Sequence, residues 1–232
     1  TPTREIEVNL TGLATYDSNV ARASAAGAAA RGIEKEDIRL SPAVEANIVL
    51  PTPAAVLTLS GSVGYDFYVR NSQLDRERLN LLAGAGTKLS FCDVGVQAGY
   101  SRGQADLADL SIVPGDPELS TVNLLQTTRI GGTVSCGTTV RPTAFVEYRT
   151  SDNSARQRRI SDVDMLTYGG GVSYSSPRFG VLTAFVGRSE FDYPERAGIV
   201  GSLQAFNVPM WGVRLDRRLG ARLQVHGQVT YV

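Results

Sequence analysis

The sequence predicts an all-β, antiparallel up-and-down transmembrane β-barrel, and three observations lead there. Apolar and polar residues alternate over runs longer than the roughly five or six residues of an ordinary soluble strand. Long and short connections alternate along the chain, and aromatic residues gather toward one end of the strands.

Alternation with period two places successive side chains on opposite faces of an extended chain. In the first run Ile6, Val8, Leu10, Gly12, Ala14 and Tyr16 share a face, against Glu5, Glu7, Asn9, Thr11 and Thr15. The second sets Ile38, Leu40, Pro42, Val44, Ala46 and Ile48 against Arg39, Ser41, Glu45 and Asn47. The third, VLTLSGSVGYDFYVR (56–70), sets Leu57, Leu59, Val63, Tyr65 and Phe67 against Thr58, Ser60, Ser62 and Asp66. The fourth opposes Leu79, Leu81, Ala83, Ala85 and Leu89 to Arg78, Asn80 and Lys88. The fifth opposes Val94, Val96, Ala98 and Tyr100 to Gly95, Gln97, Gly99 and Ser101.

Segment 122–136 reads as a sixth, noisier strand, with Arg129 on its polar side. In the seventh, Val140, Ala144, Val146 and Tyr148 oppose Arg141, Thr143, Glu147 and Arg149. Segments 165–174 and 179–193 follow; in the latter Phe179, Val181, Phe185, Phe191 and Tyr193 form the apolar set, with Arg188 and Glu190 opposite. Segment 203–215 is ambiguous, because Asn207 and Pro209 interrupt one face and Arg214 the other. The last run is clean: Leu223, Val225, Gly227, Val229 and Tyr231 against Arg222, Gln224, His226, Gln228 and Thr230. About eleven strands result, most of about 11–15 residues, where a tilted membrane-crossing strand needs about 9–11.

Long connections at 17–36, 103–121, 151–162 and 194–202 alternate with tight turns at PTPA, Ser90–Asp93, Cys136–Thr138, SSPR and RRLGA, with a medium RNSQLDRE on the long-connection side. Outer-membrane barrels segregate their connections in this way, with large loops on one rim and short turns on the other. At the long-loop ends lie Tyr16, Tyr65 with Phe67, Tyr100, Tyr148, Phe191 with Tyr193, and Tyr231. Such a row is expected of a girdle at a lipid–water interface, with Phe91, Tyr174 and Phe179 beginning the opposite one. Lipid is therefore the expected partner of the apolar face, and water or a polar lumen that of the other.

The composition narrows the function classes. The 232 residues carry equal numbers of basic and acidic side chains, which gives a nucleic-acid partner no electrostatic support. No run of about 18 apolar residues marks a transmembrane helix. The opening TPTREIEVNL is already strand-like, so any targeting segment is expected to lie outside this sequence.

LTGLATYDSNVAR, EDIRLSPAVEANIVLP and GYDFYVRNSQLDRERLNL resemble the N-terminal half of outer-membrane β-barrel, porin-like proteins of alphaproteobacteria, some encoded beside exopolysaccharide (gellan-type) export genes. The resemblance implies an integral outer-membrane barrel with a part in polysaccharide export or envelope passage, and it carries no catalytic motif onto residues of this chain. Eleven is an odd number, whereas single-chain bacterial barrels have an even one. Residues 1–232 are therefore expected to be the N-terminal part of a larger barrel.

Candidate chemistry is thin. His226, the only histidine, lies in a polar row with Gln224 and Gln228 and no serine motif, which favours a lumen-lining role over a catalytic one. Asp106, Asp109, Asp116 and Glu118 sit in one loop without EF-hand spacing, so a solvated loop is preferred to a calcium site. Glycines at 84–86 and 169–171 lie within strands, outside the strand–helix context of a nucleotide site. No catalytic residue, metal ligand or cofactor is assigned.

The residues expected to line a lumen are Arg39, Glu45, Asp66, Arg70, Arg78, Lys88, Arg129, Arg141, Glu147, Arg149, Arg188, Glu190, Arg214, Arg222 and His226. Such a lining serves equally to brace a wall by ion pairs or to pass a hydrated solute. The favoured function is a passage or secretion component for polar solutes or exopolysaccharide; a purely structural envelope barrel comes next and a barrel enzyme last. Cys92 opens the fifth strand and Cys136 closes the sixth, each in the apolar set at the short-turn end, so a disulfide between them is expected.

Overall fold

The structure is a computed structural model that describes residues 3–105, 123–176, 180–199, 201–219 and 223–231. Its eleven strands are β1 (Glu5–Asp17), β2 (Asp37–Pro51), β3 (Val56–Tyr68), β4 (Arg76–Leu89), β5 (Cys92–Gln104), β6 (Leu124–Cys136), β7 (Val140–Asn153), β8 (Val163–Ser176), β9 (Gly180–Asp192), β10 (Ala205–Leu219) and β11 (Leu223–Tyr231). They form one antiparallel sheet in chain order, in which each strand pairs with its sequence neighbours. β1 and β11 are its two edges, so the sheet is open rather than closed into a barrel. A six-residue helix, α1 (Ala25–Ala30), lies in the first long connection.

The register puts like with like. Val8 faces Ala46, Leu10 faces Val44, Val44 faces Val63 and Val63 faces Leu79. The same face continues through Ala85 and Val96, Ala98 and Ile130, Val146 and Tyr168, and Trp211 and Tyr231. The opposite face carries Asn9 with Glu45, Ser62 with Asn80, Gln97 with Gly131, and Asp216 with His226. On this polar face hydroxyls bond across the strands, Thr143 to Ser135 at 3.0 Å and Ser173 with Thr183 at 2.9 Å.

Exposure along the strands is inverted relative to a water-soluble sheet. Leu10, Val63 and Val186, on the apolar face, are 84%, 56% and 64% exposed, whereas Ser41 and Ser189, on the polar face, are 3% and 7% exposed. Residues of β1–β3 and of the end of β5 line one cleft, although a flat sheet would hold β1 and β5 roughly 19 Å apart. The sheet therefore curls with its polar face concave. The buried apolar cluster lies in the loops: Val20, Ala21, Ala28, Ile33 and Leu74 pack between the first long connection and the turn around Ser72–Leu74.

Two readings of β9 are corrected. Arg188 pairs with Tyr168 and Glu190 with Leu166, so both lie on the apolar face, near the long-loop rim. Phe185 and Phe191 take the polar face instead. The reason is packing over glycine. A Cβ on Gly212 would meet the Phe185 ring at 2.7 Å, and one on Gly169 would meet that of Phe145 at 2.8 Å. These glycines leave the room in which the rings lie flat on the concave face. Tyr193 follows β9 and lies outside the sheet, its ring covered by the Arg196 guanidinium at 3.7 Å.

The remaining rim aromatics, Tyr16, Tyr65, Phe67, Tyr100, Tyr148 and Tyr231, all fall on the apolar face. Trp211, left out of that row by the ambiguity of its segment, joins it by stacking on Tyr231 at 5.6 Å between centroids. Phe179, Arg222 and the acidic loop with Asp106, Asp109, Asp116 and Glu118 lie outside the described residues.

At the short-turn rim Cys92 and Cys136 are direct cross-strand partners joined by a disulfide. Next to it Gly137 turns at φ +100, where a Cβ would fall 2.3 Å from the Val140 carbonyl oxygen. The bond spans 44 residues, including the β5–β6 connection, and on the chain-entropy estimate stabilises by about 4 kcal/mol. Reduction, or the double change Cys92→Ser and Cys136→Ser, is expected to lower the denaturant midpoint while circular dichroism keeps its β signal. An unchanged midpoint would show that the bond adds nothing.

Candidate functional site

The concave polar face gathers most of the charges singled out from the sequence. Arg39 stands opposite Thr15 and Tyr68, Glu45 opposite Asn9 and Ser62, and Asp66 opposite Arg76. Arg78 faces Gly64, Lys88 faces Asp93 and Arg141 faces Ser173. Glu147 lies between Gly131 and Thr167, and Arg214 between Thr183 and Gln228. Arg70 departs from the expected lining: it lies beyond β3 in the loop layer.

A cleft of about 540 Å³ lies on the polar face across β4–β7, lined among others by Arg78, Asn80, Thr127, Arg129, Glu147 and Arg149. Arg129 and Arg149 are direct cross-strand partners, so two guanidinium-bearing side chains leave the sheet side by side. Arg129 lies across Gly99, where a Cβ would stand 2.6 Å from its Nε. Glu147 accepts a hydrogen bond from Gln97 at 3.2 Å.

Toward the short-turn rim the charges are paired. Arg141 meets Asp93 at 2.6 Å, and Arg214 meets Asp216 at 2.7 Å. Asp216 also accepts from His226, its direct cross-strand partner. The lone histidine thus has a carboxylate beside it, near the short-turn end of edge strand β11. A histidine–carboxylate pair orients an imidazole, but hydrolysis needs a nucleophile in reach as well. The neighbouring polar-face positions hold Arg214, Gln228 and Thr230.

At the opposite rim, a second cleft of about 390 Å³ is lined by Asp17, Arg22, Asp37, Arg39 and Asp66. Above it the loops are knotted together. Asp37 is buried and accepts from the Arg70 amide at 3.0 Å and from the Asn71 amide and side-chain amide, both at 2.8 Å. Asn71 in turn accepts from the Glu34 amide at 2.7 Å. A second knot repeats this chemistry: Asp162 accepts from the Asn153 amide at 2.6 Å, and the Asn123 amide group donates to Asn153 at 2.8 Å. Arg196 donates to the Ile160 carbonyl at 2.8 Å, joining the β7–β8 and β9–β10 loops. The loop rim is therefore a built layer. The sequence signal for it was the set of Asp and Asn residues flanking the strands, which turn residues also supply.

Glu36 binds Arg70 at 2.7 Å and accepts from the Tyr16 hydroxyl at 2.8 Å. The hydrogen bond from Arg70, then that from Tyr16, holds its carboxyl below the usual range. A depressed pKa gives stability that is present above the unfolded value of about 4.3 and is lost as pH falls through the folded value. Hydrogen-exchange protection factors in 18–36 are accordingly expected to fall below about pH 4, and Glu36→Gln to remove that fall. Asn71→Ala should loosen the same loop by about 1–3 kcal/mol, read as faster proteolysis there with the sheet intact. Equal protection in wild type and variant would remove the knot from the account.

Comparison with protein-family models, with curated proteins and with solved structures finds no match to this chain.

Proposed function

We propose that this chain forms part of the wall of a β-barrel in a bacterial outer membrane, and that its polar face lines a passage for polar solutes or exopolysaccharide. The observation that carries the reading is the inverted exposure: along the sheet large apolar side chains stand out on the convex side, while hydroxyl residues of the other face, Ser41, Ser151 and Ser189, are buried within the curl. In water that arrangement forfeits the hydrophobic effect on one whole face. Against hydrocarbon it costs nothing, and the ladders satisfy the backbone polar groups that lipid cannot.

The dimensions agree. From Leu57 to Phe67 the apolar face of β3 runs ten residue steps, roughly 33 Å along the strand and about 24 Å of height at a tilt near 45°. That is close to the apolar band of about 25 Å in such barrels. Tyr16 sits at the long-loop end of β1, its hydroxyl donating to Glu36, and farther along the apolar face Tyr168 donates to Glu190. Amphipathic rings with a polar tip suit an interface. The resemblance of segments 10–22, 36–51 and 64–81 to outer-membrane barrel proteins points the same way.

Closure follows from direction. β1 and β11 both run toward the long-loop rim, so an antiparallel seam needs an odd number of further strands between them. A bracing wall without transport is the second reading, favoured by the Arg141–Asp93 and Arg214–Asp216 pairs.

Single-channel recording of the protein in planar bilayers separates the two: stepwise conductance is expected for a passage, and its absence would leave the bracing wall. The facing is tested by stability in lipid. Val63→Arg is expected to cost about 2–4 kcal/mol and Ser62→Arg, on the adjacent polar position, far less. Equal costs at the two positions would rule out a lipid-facing convex side.

A further inference from the structure

Six arginines of this protein stand against a carboxylate. Arg22 meets Asp17 at 3.0 Å, Arg70 meets Glu36 at 2.7 Å, Arg102 meets Glu77 at 3.2 Å and Arg188 meets Glu190 at 3.2 Å, besides the pairs of Arg141 and Arg214. Arg78, Arg129 and Arg149 differ. Among the described residues none of them has a carboxylate within salt-bridge distance, and all three line the same cleft across β4–β7. Glu147 is the one acidic side chain in that lining, and its recorded bond is to Gln97. A fourth arginine of the lining, Arg102, is neutralised by Glu77, so three guanidiniums against one carboxylate leave the cleft with two positive charges in excess.

Two features make this more than a loose surface patch. Arg129 and Arg149 are directly opposed across β6 and β7, an arrangement that repels and that a sheet held together by cross-strand pairs would not favour for its own stability. Gly99 is also buried beneath the Arg129 side chain, and any Cβ there would collide with its Nε and Cγ, at 2.6 and 2.8 Å. The backbone thus makes room for an arginine lying along the wall.

We propose that this cleft is an anion-binding station on the concave face, which takes carboxylate or phosphate groups of hydrophilic solutes and makes the passage select anions over cations. Planar guanidinium groups suit both oxyanions, which offer paired acceptors for bidentate contacts. A ring of such residues favours anion conduction. The proposal rests on the passage reading, and the test keeps the two apart.

The protein, extracted in mild detergent and inserted into planar bilayers under a potassium chloride gradient, is expected to show a reversal potential on the chloride side of zero. Arg129→Glu with Arg149→Glu should carry that potential to the potassium side while single-channel conductance persists. Arg141→Gln, outside the cleft, should leave its sign unchanged. A wild-type potential at or beyond zero on the potassium side, or one unmoved by the double variant, overturns the proposal.

If no conductance appears, the passage reading falls and the cleft is tested alone. Calorimetric titration of the detergent-solubilised protein with glucuronate and, separately, inorganic phosphate should then show saturable, salt-sensitive binding that is lost in Arg129→Gln with Arg149→Gln. Binding of one and not the other identifies the oxyanion. Heats that neither saturate nor respond to the double variant overturn the site.

Discussion

Across every hydrogen-bonded seam the pairing keeps a constant offset, so a side chain inherits its face from its neighbour through the whole sheet. Even where Pro42 removes a ladder bond between β2 and β3, the pairs on either side, Leu40 with Phe67 and Ala43 with Gly64, keep the same register. A slip of one residue anywhere would turn the remaining strands inside out. The separation of apolar and polar faces, the curl and the gathering of charge on the concave side all depend on that unbroken pleat.

The two rims fix the sheet differently. One is held by short turns and a covalent bond between adjacent strands. The other is held by buried Asp and Asn side chains that satisfy loop amides, with a small apolar core of their own around Leu74. Between them the wall has no core in the ordinary sense: its order comes from ladders, hydroxyl pairs and rings seated over glycine.

Strand content, order and most facings were legible in the residues because period two survives any amount of surface variation. In β3 and β7 the alternation reads directly onto the two faces. β9 shows where the reading fails. Its aromatics were assigned to the apolar face by hydrophobicity, but Phe185 needs a glycine-made recess, and that recess is supplied by Gly212 on the next strand. The arginine cleft was legible only as separate inward charges. That Arg129 and Arg149 stand opposite each other depends on the β6–β7 register, which the length of the 137–139 turn sets and the residue types do not. The loop knots were invisible for the same reason, since Asp37 and Asn71 lie 34 positions apart.

The plain meander has a kinetic meaning. Each strand bonds only to the strands before and after it in the chain, so nearly all the pairing closes loops of hairpin size. Low contact order of this kind keeps the entropic barrier of each step small, and the sheet can grow at its edge one strand at a time. The β5–β6 pair is a costly step, because a long connection must be gathered before its ladder begins to form. The cysteines sit at the far end of that ladder, where they seal the pair once it has zipped to the short-turn rim.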